Sequence, residues 1–115
     1  MRHLLVVFLG RNTIREDGTG ILNEAREIFP GREAVIVAGN GDRLLTEAAD
    51  LLQASGVTVI EVKNFVAEDG DYVLVANGGS TAQQVPVFGR LLRAQVELKV
   101  VDLQRDRVNV IWPES

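Results

Sequence analysis

Tyr72-Val73-Leu74-Val75-Ala76-Asn77-Gly78-Gly79-Ser80-Thr81 reads as a buried strand that runs into a diglycine bend, two hydroxyls and a helix. Glycine lets a main chain turn sharply and approach a ligand with no Cβ between them. The first N–H groups of a helix carry partial positive charge and favour an anion such as a phosphate. This strand–glycine–helix junction sets the fold class and locates the candidate site at Asn77, Gly78, Gly79, Ser80 and Thr81.

Outward from that junction the chain alternates buried-type strands with amphipathic helices. His3 to Leu9 is a near-continuous apolar run, as in a central parallel strand covered on both faces. Gly10 to Gly20 is a polar loop. Ile21, Leu22, Ala25, Ile28 and Phe29 share one helical stripe, with Asp17 or Thr19 as the expected cap and Pro30-Gly31 as the stop. Ala34 to Ala38 is a second strand, ending at Gly39-Asn40-Gly41. Asp42 is placed to cap one helix with the stripe Leu44, Leu45, Ala48, Leu51 and Leu52, closed by Gly56.

Val57 to Val62 is a third strand. Asn64 to Asp71 is then too short for a full crossover helix, so the link is a stretched loop or the strand is placed unusually. After the Tyr72–Ala76 strand, Val85, Phe88, Leu91 and Leu92 form a helical stripe. Pro86 is expected in its first turn, where a missing N–H costs little. Glu97 to Leu103 and Arg107 to Trp112 read as an antiparallel hairpin turning at Gln104–Asp106. The order predicts one α/β domain over residues 1–115, a three-layer Rossmann-like, mostly parallel sheet with a C-terminal antiparallel β-hairpin. Ligands of such sheets bind outside the carboxyl ends of the strands, where strand order reverses. The loops there are Gly10–Gly20, Gly39–Asp42 and Asn77–Thr81, the first and third expected to flank the reversal and Gly39-Asn40-Gly41 reading as a turn more than a site.

Composition narrows the function. Hydrophobic residues make up 46% of the 115, enough for a core. The longest apolar run, Leu4 to Leu9, is far below a membrane span. With no cysteine there is no disulfide or thiolate metal site, and a cytoplasmic location is the expectation. The net charge of −4, from 12 basic and 16 acidic residues, shows no basic stripe for long nucleic acid. A small anion needs only main-chain dipoles and an arginine or two. Asp69 and Asp71 flank Gly70 in what reads as a turn, so no metal or other cofactor is expected. His3, the single histidine, starts the first strand at the end of the sheet away from the ligand side.

Two segments carry a family resemblance. Phe8-Leu9-Gly10-Arg11-Asn12-Thr13-Ile14-Arg15, followed by Asp17-Gly18 and a helix, resembles the opening of CRISPR-associated Rossmann-fold (CARF) domains. Ala76-Asn77-Gly78-Gly79-Ser80-Thr81 is similar to the small-residue, Gly-Gly, hydroxyl loop after the family's fourth strand. The Val96–Trp112 hairpin resembles the family's usual ending. In many of these loops a lysine follows the hydroxyl residue; here Thr81 follows Ser80.

The resemblance implies a homodimer that binds cyclic oligoadenylate, a second messenger of type III CRISPR immunity, across its two-fold axis. A domain of this kind standing alone resembles the ring nucleases, which cleave the messenger and end the antiviral response. Such cleavage needs no metal, because a ribose 2′-hydroxyl attacks its neighbouring phosphate while the protein holds the atoms in line and stabilises charge. Arg11, Ser80 and Thr81 are the expected catalytic residues. Gly10, Asn12, Thr13, Arg15, Asn77, Gly78, Gly79 and Gln83 are the expected ligand-binding residues. Two other readings stand beside this one: a non-catalytic cyclic-nucleotide sensor, and an unrelated Rossmann-like nucleotide or sugar-phosphate enzyme. Ser80 and Thr81 also suit a simple helix cap, and Phe88 and Trp112 suit core or dimer interface more than base stacking.

Overall fold

A computed structural model describes residues 2–15, 17, 19–76, 78–104 and 107–113. Its six strands, β1 (His3–Phe8), β2 (Glu33–Ala38), β3 (Thr58–Glu61), β4 (Tyr72–Ala76), β5 (Glu97–Gln104) and β6 (Arg107–Trp112), join one sheet in the order β3-β2-β1-β4-β5-β6. The first five run parallel, and β6 pairs antiparallel with β5. The expected α/β class and mostly parallel sheet with its antiparallel final pair are therefore present. The pairing Gln104↔Arg107 leaves Arg105 and Asp106 of the expected turn outside the described residues.

The apolar runs become strands because both faces of the sheet are covered. Leu4, Val6 and Phe8 of β1 point to one side, where Val87 and Leu91 of α4 (Thr81–Arg93) close the cluster. Leu5, Val7 and Leu9 point to the other, against Leu22 and Ala25 of α1 (Ile21–Ile28) and Leu52 of α3 (Ala49–Ala54). The alternation follows the two-residue period of a strand. Removing a side chain as large as Leu5 or Leu74 from this packing costs about 2–5 kcal/mol.

Several local expectations are corrected. Neither Asp17 nor Thr19 caps α1. The cap position is Gly20, at φ 135°, and Asp17 instead accepts from the Thr19 N–H and hydroxyl. Gly20 is required there because an added Cβ would lie 2.6 Å from the Thr13 carbonyl oxygen. The helix expected over Leu44–Leu52 is two short pieces, α2 (Leu44–Glu47) and α3, broken at Ala48. Only Leu52 among their residues is fully buried, so packing does not enforce one continuous helix.

The short link before β4 is a stretched loop. A 3₁₀ turn at Val62–Asn64 leaves edge strand β3, and buried Val62 and Phe65 join the cluster on the α4 face. Arg90 of α4 donates to the Val62 carbonyl, which holds the loop against that helix. Pro86 lies inside α4 and not in its first turn. The helix begins earlier than its apolar stripe because Ser80 and Gln83 form a capping box. The carbonyl that Pro86 leaves without an intrahelical donor belongs to Ala82, an exposed residue that water can reach.

Candidate functional site

Strand order reverses between β1 and β4, because β2 and β3 lie to one side and β5 and β6 to the other. At the carboxyl ends of β1, β2 and β4 is an open cleft of about 440 Å³. Leu9 and Gly10 line it after β1, Gly39, Asn40 and Asp42 after β2, and Gly79, Ser80 and Gln83 after β4. The loops after β1 and β4 thus meet in one cavity, as the chain order led us to expect.

Gln83 organises this cleft. It is buried, and its side-chain amide donates to the Leu9 carbonyl at 3.0 Å and, more weakly, to the Val37 carbonyl at 3.5 Å. Its Oε1 accepts from the Ser80 N–H at 2.8 Å. One side chain therefore links the ends of β1 and β2 to the start of α4. Gly79 passes directly over this linkage at φ 78°, and an added Cβ would come within 2.6 Å of the Phe8 Cβ and 2.7 Å of Gln83 Oε1. Only glycine fits that approach. Gln84 donates to the Gly78 carbonyl at 2.6 Å, holding the other glycine of the bend.

Polarity at the cleft comes mainly from main chain. As the first residues of α4, Thr81 and Ala82 have N–H groups with no intrahelical acceptor. Ser80 is exposed, and its hydroxyl accepts from the Gln83 N–H. Among the described residues no lysine, arginine or histidine lines the cleft, but Asp42 does. Asp42 accepts from the Leu44 N–H at 3.0 Å through Oδ1. Asn40 accepts from the Lys63 N–H and Gly41 donates to Glu61, so the loop after β2 is tied to the end of β3. Amide donors beside a carboxylate acceptor suit a ligand with both an oxyanion and sugar hydroxyls.

The residues expected at the site fall into several groups. Gly10, Gly79, Ser80 and Gln83 line the cleft, and Thr81 opens the helix beside it. Gln83 is a structural tie more than an open contact. Asn77 lies outside the described residues, and Gly78 is in the bend but not among the cleft lining. Arg11 and Asn12 are exposed on the turn that leaves β1.

Thr13 was expected to reach a ribose or base edge, but it is buried. Its hydroxyl donates to the Phe8 carbonyl at 2.9 Å and accepts from the Gly10 N–H at 2.7 Å, which shapes the loop from within. Arg15 points elsewhere: it lines hollows beside α1, away from the glycine bend. His3 stacks on Tyr72 at the opposite end of the strands. Asp71 is held by Arg2, whose guanidinium contacts both carboxylate oxygens at 3.2 and 2.6 Å. Among the described residues no cluster of three or more potential ligand side chains could hold a metal ion.

The sequence put the Gly39–Asp42 loop at the ligand end of the strands but read Gly39-Asn40-Gly41 as a turn more than a site, so Gly39, Asn40 and Asp42 were not among the expected site residues. Their position after a strand in the parallel run was the available signal.

The fold and cleft define an α/β protein with a ligand-sized cavity at the reversal of its strand order. Comparison of the chain with protein-family models, curated proteins and solved structures found no match. Among the described residues no helix is long and apolar enough to cross a membrane.

Proposed function

We propose that this protein is a cytoplasmic, Rossmann-like three-layer domain that binds cyclic oligoadenylate across a homodimer and cleaves it without a metal. The observation that carries the reading is the cleft itself, where the Gly10 and Gly79–Ser80 loops converge at the switch point beside the start of α4. Free amide N–H groups there suit a phosphate. Asp42 suits a ribose hydroxyl, as a carboxylate does in related sheet topologies. A cavity of this size holds about one nucleotide, so a ring calls for a second cleft related by two-fold symmetry.

In the cleavage step the ribose 2′-oxygen forms a bond to phosphorus and the bond from phosphorus to the 5′-oxygen breaks. The products are a cyclic 2′,3′-phosphate end and a 5′-hydroxyl. Asp42 is the carboxylate within the cleft able to take the 2′ proton, which then passes to water, while the leaving 5′-oxygen gains a proton from solvent. Amides of Gly79 and Thr81 stabilise charge on the phosphoryl oxygens, the Ser80 N–H being engaged by Gln83. Arg11, exposed on the first loop, would have to swing toward the ring to add a bidentate contact.

Incubation of the pure protein with radiolabelled cyclic tetra- and hexa-adenylate tests this directly. Turnover in the presence of a chelator supports the reading, and absence of any binding overturns it. Binding without turnover favours the second reading, a sensor module. That alternative draws support from Ser80 and Gln83, whose polar atoms are already engaged in the capping box.

A further inference from the structure

We infer a second ligand site, separate from the strand-end cleft, in the hollow between the first loop and helices α1 and α3. The hollow has a volume of about 260 Å³. Ile14, Leu22 and Leu51 supply apolar wall, and Arg15 and Arg26 both line it. No carboxylate lines it among the described residues, in a chain that carries 16 acidic side chains.

The two guanidiniums are not consumed by their neighbours. Arg26 donates one N–H to the Ser55 carbonyl at 2.9 Å, which anchors that cation at the end of α3. A guanidinium has five N–H groups, so donors remain. Arg15 donates to Asn12 Oδ1 at 3.3 Å, a long bond at an exposed position. Asp17 feels the charge of Arg15, but its carboxylate accepts from the Thr19 N–H at 2.9 Å and hydroxyl at 2.6 Å and does not line the hollow.

Two forked donors at the rim of an apolar depression recognise an oxyanion head attached to an apolar body. The ligand class is a small aryl oxyanion. The volume is below the usual range for drug-sized molecules, so one ring and its anionic group fill it. This site does not depend on the ring-nucleotide reading, because the glycine bend contributes nothing to it.

Backbone amide NMR titration of the full chain tests the site with phenyl phosphate, benzoate, phenol and inorganic phosphate as separate probes. Saturable shifts at Leu22, Leu51 and Ser55 with phenyl phosphate or benzoate are expected, and whichever binds more tightly identifies the head group. Arg15→Gln should weaken that binding by at least about fivefold while leaving the amide signals of the sheet in place. The proposal is overturned by shifts confined to Gly10, Gly79 and Ser80, by phenol or inorganic phosphate binding as tightly as the aryl anion, by an unchanged affinity in Arg15→Gln, or by no saturation.

Discussion

The side-chain amide of Gln83 donates to the main-chain carbonyl of Leu9 across 74 residues of sequence, at 3.0 Å. That bond joins the first turn of α4 to the end of β1, and the cleft lies over it. Gln83→Leu removes the donor to Leu9 and the acceptor for the Ser80 N–H. The expected loss is about 2 kcal/mol, seen as a lower urea midpoint, because a buried carbonyl is left without a partner.

Gln83→Glu gives a sharper test through pH. A carboxylate accepts but cannot donate to Leu9, whereas its protonated form can. Burial against a carbonyl raises the folded-state pKa of this glutamate. The penalty therefore grows as pH rises above the unfolded value of about 4.3 and is relieved in acid. Urea melts at two pH values should show Gln83→Glu nearer to wild type at the lower one. Equal deficits at both would show that the Leu9 carbonyl does not depend on this donor.

Gly79→Ala should be the most damaging glycine change in the cleft. Its backbone is at φ 78° and the new methyl would overlap Phe8. A cost of about 1–3 kcal/mol is expected, together with loss of ring binding. Gly10→Ala is the control, since its Cβ would meet only the Thr13 hydroxyl at 3.9 Å. Thermal melts of the two variants should differ clearly.

Asp42→Asn separates binding from chemistry. Asparagine still accepts from the Leu44 N–H but cannot take a proton from a ribose hydroxyl. Ring binding should stay within a few-fold of wild type, and cleavage should fall by about 10²–10⁴. A single-turnover assay beside a binding assay reads both. Full cleavage by Asp42→Asn would remove that residue from the mechanism.

Arg2 and Asp71 predict an acid-sensitive tie. The Asp71 carboxyl is held below the usual carboxylate range, first by its hydrogen bonds from the Arg2 guanidinium and then by the Glu68 N–H, against the opposing effect of burial. A lowered folded-state pKa gives stability that is complete above the unfolded value of about 3.9 and is lost as pH falls through the folded value. Wild type should lose stability below about pH 4 more steeply than Asp71→Asn, measured by urea melts down to pH 2. Parallel curves would show that this pair does not contribute.

The apolar runs at β1, β2 and β4 carried the strand assignments in the sequence, because a strand buried on both faces must be apolar throughout. Gly79 was legible for a related reason: a glycine pair between strand and helix marks a turn where side chains do not fit. The roles of Thr13, Arg15 and Gln83 were not legible. All three are polar residues near glycine loops, and sequence could not say that Thr13 turns inward to Phe8, that Arg15 leans over α1, or that Gln83 joins two strand ends.

Local chemistry by itself therefore determined which segments form strands, where the main chain must be bare, and that the class is α/β. Only tertiary structure decided that the loop after β2, on the other side of β1 from β4, shares the cleft and supplies Asp42. The physical reason is that strand neighbours are chosen by nonlocal packing, here by Val62 and Phe65 covering the α4 face, and no pattern within one segment encodes its neighbour.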